Sequence, residues 1–438
     1  MTNYWATSAV LPTGLAHRVR VEVADGRITR VTSKAPPAAE DVQLDGIMLP
    51  GFANAHSHAF HRALRGRTHA SGNFWTWRDQ MYTVARVLDP DTYFGLARAV
   101  FAEMVSAGFT VVGEFHYLHH GPNGQPYDDP NAMGHAVVAA AAEAGIRLTL
   151  LDTCYLSGGL AGSGHLDLDP VQQRFSDGHV ADWIGRVGRL ADGPTTRIGA
   201  GVHSVRAVPR DALRDLASIV GNRPVHAHVS EQLAENAAAT LYYGCTPTRV
   251  FEEAGLVGPG FTAVHATHAD TDDIHRLAHG GAAVCLCPTT ERDLADGIGP
   301  ARALSEAGVP LCLGTDQHAM IDPFEEVRGL EMHERLLTGE RGRFTLEELA
   351  AAAGPVGYSR LGWPDGGAIA AGQLADLVVV QRDSPRTAGS RPNQILFSAT
   401  SADVLATIVA GELIVTDGKH RLGDVGRLLA EAFEAVRR

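Results

Sequence analysis

Eight short apolar runs, each followed by polar residues and then by a stretch with helical spacing, limit most strongly what this chain can fold into. They are IMLPGFANAH, TVVGEFHY, IRLTLLDTC, TRIGAGVHS, RPVHAHVS, FTAVHATH, AAVCLCP and VPLCLGTD. Each reads as a strand. The intervening segments, such as DPDTYFGLARAVFAEMVSAG and PARALSEAG, have helical spacing and end in Gly, as a helix C-terminus does. Eight strand–helix alternations over roughly 300 residues predict a TIM (β/α)8 barrel, an α/β fold whose active site lies at the C-terminal strand ends.

The two ends of the chain carry a different signal. RVRVEVADGRITRVTS alternates apolar and polar residues around Ala24-Asp25-Gly26, and Asp-Gly supplies the positive φ values of a tight hairpin. A matching pattern returns late, in LADLVVVQRD (374–383) and LATIVAGELIVTDGKH (405–420), the second with its own Asp-Gly turn. One small β-sandwich assembled from both ends follows. The expected organisation is residues 1–47 as its first part, 48–365 as the barrel, and 366–425 as its second part, with a C-terminal helix to 438.

Composition narrows the function classes. The 438 residues are 45% hydrophobic and 20% charged, as in an ordinary soluble globular protein. A net charge of -13 argues against a nucleic-acid or anionic-membrane partner, because both demand a clustered cationic face. The start, MTNYWATSAVLPTG, lacks the basic and apolar regions of a secretory signal. The most apolar stretch, AVVAAAAEAGI, is short and broken by Glu143, which suits a buried helix. A cytoplasmic protein is expected. Five cysteines are a sparse, odd set in a long chain, so no disulfide framework is expected, and Cys285 and Cys287 read as small buried hydrophobes.

Titratable residues collect at the C-terminal ends of the proposed strands. His56 and His58 end the first, Glu114 and Tyr117 the second, His203 and Arg206 the fourth, His228 and Glu231 the fifth, His265 and His268 the sixth, and Asp316 the eighth. A strand repeats every two residues, so His56 and His58 point to one side and can share an ion. Any one of these residues alone is more often structural; their coincidence across strands is the signal. Zinc binds imidazole nitrogen and carboxylate oxygen and keeps one position for water in catalytic sites. His56, His58, His228 and Asp316 would supply three nitrogens and one anion, and one divalent metal, Zn2+, is the expected cofactor. Such an ion lowers the pKa of its water from 15.7 to about 7. Glu231, three residues past His228, is close enough to carry a proton without being a ligand.

These residues carry a resemblance. HxH after the first strand, His on the fifth and sixth, Asp on the eighth and a β-sandwich from both termini resemble the amidohydrolase superfamily. More narrowly, NAHSHAFHRALRG, FWTWRDQMY, GEFHYLHH, HAHVSEQ, VHATHAD, CPTTERDLADGIGP and LGTDQH resemble the formimidoylglutamate deiminases of histidine degradation. Binuclear members of the superfamily use a carbamylated Lys on the fourth strand to bridge two metals. The only lysines here are Lys34 and Lys419, so that bridge cannot form and a single metal is expected. A bridge through Glu114 ranks below a hydrogen-bonding role for that residue at the barrel mouth.

The resemblance implies hydrolysis of N-formimidoyl-L-glutamate to N-formyl-L-glutamate and ammonia, with Asp316 and His265 activating water and Glu231 carrying protons to the departing nitrogen. A small dicarboxylate substrate requires cations, and Arg holds a carboxylate bidentately. Arg78 and Arg206 match the family's positions by motif, Tyr117 can donate a hydrogen bond, and His203 stands beside Arg206. His61 occupies a place where members commonly have Gln; neutral His likewise offers one donor and one acceptor. Plainer roles exist: Arg78 on the surface of an aromatic-rich loop, Arg206 paired with Asp211, and Trp75 and Trp77 as packing for a lid loop. His268 reads as structural, and His116, His119 and His120 as loop decoration, with an adventitious second metal as the lesser alternative. Two rivals remain, a deaminase of a flat heterocycle such as guanine and a non-enzymatic scaffold on the same barrel. A homodimer is expected by base rate.

Overall fold

The computed structural model describes residues 2–68 and 74–437. In chain order its strands are β1 (Thr2–Leu11), β2 (Gly14–Ala24), β3 (Arg27–Thr32), β4 (Val42–Pro50), β5 (Phe52–Ser57), β6 (Phe109–His116), β7 (Arg147–Cys154), β8 (Gly159–Ala161) and β9 (Gly164–Leu166). They continue with β10 (Thr196–Val202), β11 (Val225–Val229), β12 (Phe261–His265), β13 (Ala283–Leu286), β14 (Leu311–Leu313), β15 (Leu377–Val380), β16 (Val404–Val409), β17 (Glu412–Thr416) and β18 (Lys419–His420).

Eight of these form one parallel sheet in the order β14-β13-β12-β11-β10-β7-β6-β5. Its edges meet through a parallel bridge between Ser57 and Asp316, where Asp316 N–H donates to His56 O (3.0 Å) and His58 N–H to Asp316 O (3.1 Å). The sheet is thus the expected TIM barrel, and it closes where the candidate ligands stand. Helices cover it, among them Pro90–Ser106, which opens on an Asp89 capping box with Pro at its first turn, and Ala132–Ala144, which ends on left-handed Gly145.

The two ends of the chain build a second sheet in the order β18-β17-β16-β15-β4-β1-β2-β3. Both Asp-Gly turns fold as their composition predicts, with Asp25 and Gly26 at φ 51° and 71° and Asp417 and Gly418 at 50° and 70°. Alternation gives this sheet two apolar faces. Ile47, Leu49, Val378 and Val380 join the core shared with the barrel, while Met48, Leu377 and Val379 join Tyr4, Val21 and Ile408 in a core of their own. Arg147 at the start of β7 is bound at 2.6 and 3.1 Å by Asp376, just before β15, which locks the sheet to the barrel.

The run IMLPGFANAH is not one barrel strand. Its first half, through Pro50, belongs to β4 and pairs with β15 (Ile47 with Val380, Pro50 with Leu377), and only Phe52–Ser57 enters the barrel. Gly51 makes the change of sheet possible, since a Cβ there would lie 2.1 Å from Thr110 Oγ1. A continuous apolar run carries no mark of such a crossing. The segment FWTWRDQMY is likewise not a loop but part of the helix Phe74–Val87.

Candidate active site

His56 and His58 lie at the end of β5, His228 within β11, and Asp316 just after β14. The barrel brings them together. His56 Nε2 and His58 Nε2 stand 3.1 and 3.4 Å from His228 Nε2, and 3.4 and 3.3 Å from Asp316 Oδ1. Four donors about 2.0–2.2 Å from one zinc ion are themselves about 3–3.5 Å apart, so the spacing suits a single small cation.

The donor chemistry also fits. His58 Nδ1 is 3.0 Å from Phe115 O and His228 Nδ1 is 2.8 Å from His203 O. A carbonyl only accepts, so both Nδ1 atoms carry hydrogen and both Nε2 atoms turn a lone pair to the cluster. Burial holds His56 and His58 well below the usual histidine range and takes His228 down to about 3, keeping all three neutral as metal binding requires. Burial pushes the Asp316 carboxyl up to about 7, an anion short of compensation that a divalent cation would supply.

Behind β5 runs a buried network. Glu114 accepts Ala59 N–H (2.6 Å) and the Ser57 hydroxyl (2.5 Å), Ser57 contacts His318 Nε2 (3.2 Å), and His318 Nδ1 contacts Thr315 Oγ1 (2.9 Å). Glu114 therefore holds both neighbours of His58, Ser57 by its hydroxyl and Ala59 by its backbone N–H, and is not among the clustered donors.

A cavity of about 280 Å³ opens above the cluster. His58, His61, Arg78, Tyr117, His203, Arg206, His228, Glu231 and Asp316 all line it. Arg206 Nη2 is 3.0 Å from Glu231 Oε2, and its Nε is 3.3 Å from Glu235 Oε2. Asp211, the plainer partner for Arg206, instead pairs with Arg214 (2.9 Å). Burial alone would raise Glu231, but the charges of His265 and Arg206 outweigh it and lower the group, whereas burial takes Glu235 up to about 7. His61 Nε2 is 2.7 Å from the Tyr117 hydroxyl, and burial drives His61 down to about 3, so the ring is neutral. Trp75 and Trp77 line the wall from their helix, and the Arg78 guanidinium lies over Trp75 at 4.7 Å.

His265 ends β12, and its Nε2 lies 3.8 Å from Asp316 Oδ2 and 3.9 Å from Glu231 Oε1. Burial would lower this imidazole, yet the Glu291 hydrogen bond and the Glu231 and Asp316 charges prevail and push it up to about 10. His268 is half-buried and, like the fully buried His265, is not among the residues that line the cavity. His116, His119 and His120 are not loop decoration. All three are buried, with His119 Nε2 2.9 Å from Thr153 O and His120 Nε2 3.1 Å from Asp177 Oδ1. The nearby Asp152 carboxylate is held by both terminal nitrogens of Arg186 at 2.8 Å.

Three contributors escaped the sequence. The β8–β9 hairpin supplies Gly159, Leu160 and Leu166 to the cavity wall; Glu235 braces Arg206; and Glu291 meets His265. Glu291 and Glu235 lie within motifs already singled out or just beyond them, but nothing in their spacing says which side chain they face.

Residues 47–414 match the amidohydrolase family, and the chain belongs to it. Among individual proteins, it is 35% identical to a formimidoylglutamate deiminase of Pseudomonas aeruginosa, with 96% of each chain aligned. It is also 28% identical to a 5-methylthioadenosine/S-adenosylhomocysteine deaminase of Natronomonas pharaonis, over 97% of this chain and 94% of that one. The crystal structure of an amidohydrolase from Brucella melitensis superposes with a TM-score of 0.91 at 29% identity, covering 100% of both chains.

Proposed function

We propose that this protein hydrolyses N-formimidoyl-L-glutamate to N-formyl-L-glutamate and ammonia. The observation that carries the reading is a cluster of four donors, His56, His58, His228 and Asp316, the last three lining one cavity together with two arginines, Arg78 and Arg206. A dicarboxylate needs such cations, and the aligned deiminase, named for formimidoylglutamate, supports the same substrate.

One divalent ion, most simply zinc, would be held by His56, His58, His228 and Asp316, and when bound it supplies a water acidic enough to react near neutral pH. The chain's own groups do the rest. Arg206 and Arg78 take the substrate carboxylates, with Tyr117, His61 and His203 closing the polar wall. Asp316 lines the cavity, and the buried His265 stands behind it with Nε2 3.8 Å from Asp316 and 3.9 Å from Glu231, from where the two would orient the attacking oxygen. Glu231 relays the two protons of the attacking water to the terminal nitrogen, one as the C–O bond forms and one as the hydroxyl becomes the carbonyl, and the nitrogen departs as ammonia when the C–N bond breaks.

The aromatic wall of Phe74, Trp75, Trp77, Tyr82, Tyr155 and Phe175 favours a second reading, a deaminase of a flat heterocycle. Ammonia release from N-formimidoyl-L-glutamate, its aspartate homologue and guanine, compared as kcat/KM, separates them. A preference for the glutamate compound is expected; a preference for guanine would replace the dicarboxylate reading.

A further inference from the structure

We propose that Glu291 is a positioning residue that fixes the ring of His265, through its Nδ1, in the orientation the reaction needs. The role in turnover rests on the deaminase reading above; the geometry does not.

His265 stands at a conformationally demanding point, with φ 70° at His265 and 51° at Ala266. Left-handed backbone is costly for residues other than Gly and persists where surrounding contacts impose it. This turn throws the imidazole inward from the end of β12, where it is fully buried. The two ring nitrogens meet different surroundings. Nε2 has no hydrogen-bond partner and faces Asp316 and Glu231, whereas Nδ1 lies 3.3 Å from Glu291 Oε1.

Glu291 is equally buried, at 3% exposure, on the short helix Pro288–Asp293 that follows β13. Its position is set by its own chain. Oε1, the atom that meets His265, also accepts the Cys287 N–H at 2.8 Å, and the Glu291 N–H donates to Cys287 O at 2.9 Å. The carboxylate is thus pinned to a backbone loop that cannot swing with the ring. A pinned acceptor beside Nδ1 keeps the hydrogen there, which leaves Nε2 as the atom presented to Glu231 and Asp316. An imidazole whose second nitrogen is held in this way has a defined plane. Without Glu291 the ring could flip about its own axis and lose the orientation in which Nε2 meets Glu231 and Asp316.

Two conservative variants divide length from charge. Glu291→Gln keeps an oxygen at the same reach, and the Cys287 N–H orients the amide so that this oxygen still faces Nδ1. Glu291→Asp keeps the charge but draws the carboxylate back by a methylene, out of reach. With holoenzyme and N-formimidoyl-L-glutamate, Glu291→Asp is expected to lower kcat by about 10- to 100-fold, the usual loss on removing an orienting partner of an active-site imidazole, with KM little changed. Glu291→Gln should retain most of kcat. Equal kcat for both variants and wild type, or a loss confined to KM, would overturn the proposal.

The second readout needs no substrate. In 15N spectra of the full chain labelled at histidine, with His265→Asn identifying the signals, the His265 Nδ1 resonance, which reports the contact with the Glu291 oxygen, should stay close to its wild-type position in Glu291→Gln and move in Glu291→Asp. An unchanged signal in Glu291→Asp sinks the proposal. Should wild type fail to release ammonia from N-formimidoyl-L-glutamate, the functional reading falls while the spectra still judge Glu291.

Discussion

The Arg206 guanidinium bridges Glu231 at 3.0 Å and Glu235 at 3.3 Å on the wall of the cavity, so the cation that would receive a substrate carboxylate also holds the residue that would move the proton. Arg78 has no such link to Glu231 among the ion pairs of the described residues. The two arginines should therefore fail differently. Arg78→Met is expected to raise KM for N-formimidoyl-L-glutamate with a small effect on kcat, and Arg206→Met to raise KM and lower kcat together. Loss of a charge-assisted hydrogen bond is worth about 1.5–3 kcal/mol, or about 10- to 100-fold. Steady-state kinetics with matched metal content checks the split; identical patterns for both variants would refute the shared role of Arg206.

The four clustered donors predict one divalent ion per chain. Dialysis against a chelator should abolish ammonia release, and one equivalent of zinc should restore it. Since the donors converge only in the folded chain, the ion should also stabilise: free cation at a hundred times its Kd adds about 2.7 kcal/mol. His56→Asn and Asp316→Asn should bind less metal in elemental analysis and lose this dependence of Tm on added zinc. Full activity after exhaustive chelation would contradict the arrangement.

Glu114 gives a pH dependence of stability that is separate from the clustered donors. Burial outweighs its hydrogen bonds from Ser57, Ala59 and Tyr93 and raises it from 4.5 to about 8. Above pH 4.5 the unfolded chain releases a proton that the folded chain keeps, so this group's contribution is full below pH 4.5 and is lost as pH rises towards 8. Glu114→Gln cannot titrate. Its stability relative to wild type, measured by denaturant unfolding, should improve steadily from pH 5 to 8, by a few kcal/mol at most. A flat difference across that window would mean that Glu114 is ionised in the folded protein.

The barrel and its clustered donors were legible because the fold's own regularity displays them. Strand ends in this architecture gather on one face, so His56, His58, His228, His265 and Asp316 could be read off the last residues of apolar runs. What the sequence hid depends on side-chain direction or on short irregular pieces. Gly51 lets one apolar run serve two sheets, the hairpin Gly159–Leu166 is too short to show a period, and Glu291 faces His265 from a helix of only six residues. His116, His119 and His120 looked like loop residues because buried histidines and exposed ones have the same letters; the carbonyl partner of His119 and the carboxylate partner of His120 lie 34 and 57 residues away.

Gly314 offers a test of how closely the barrel seam and the donor cluster depend on each other. It lies between β14 and Asp316, and a Cβ placed there would stand 2.8 Å from His56 Cβ, 2.8 Å from His56 O and 2.9 Å from His56 N. None of these atoms is the movable end of a side chain. The backbone of β5 must therefore retreat, weakening the bond from Asp316 N–H to His56 O and spreading two donors that now stand 3.4 Å apart. Gly314→Ala should cost about 1–3 kcal/mol, as overpacking of a tight interior does. It should also lower zinc occupancy at a fixed free concentration. Gly95, in the helix Pro90–Ser106, is the control: an added Cβ there meets nothing within 4 Å, and Gly→Ala inside a helix gains about 0.5–1 kcal/mol. Denaturant unfolding with elemental analysis of both variants decides the matter. A Gly314→Ala protein as stable and as metal-rich as wild type would show that the seam can open without moving His56 away from Asp316.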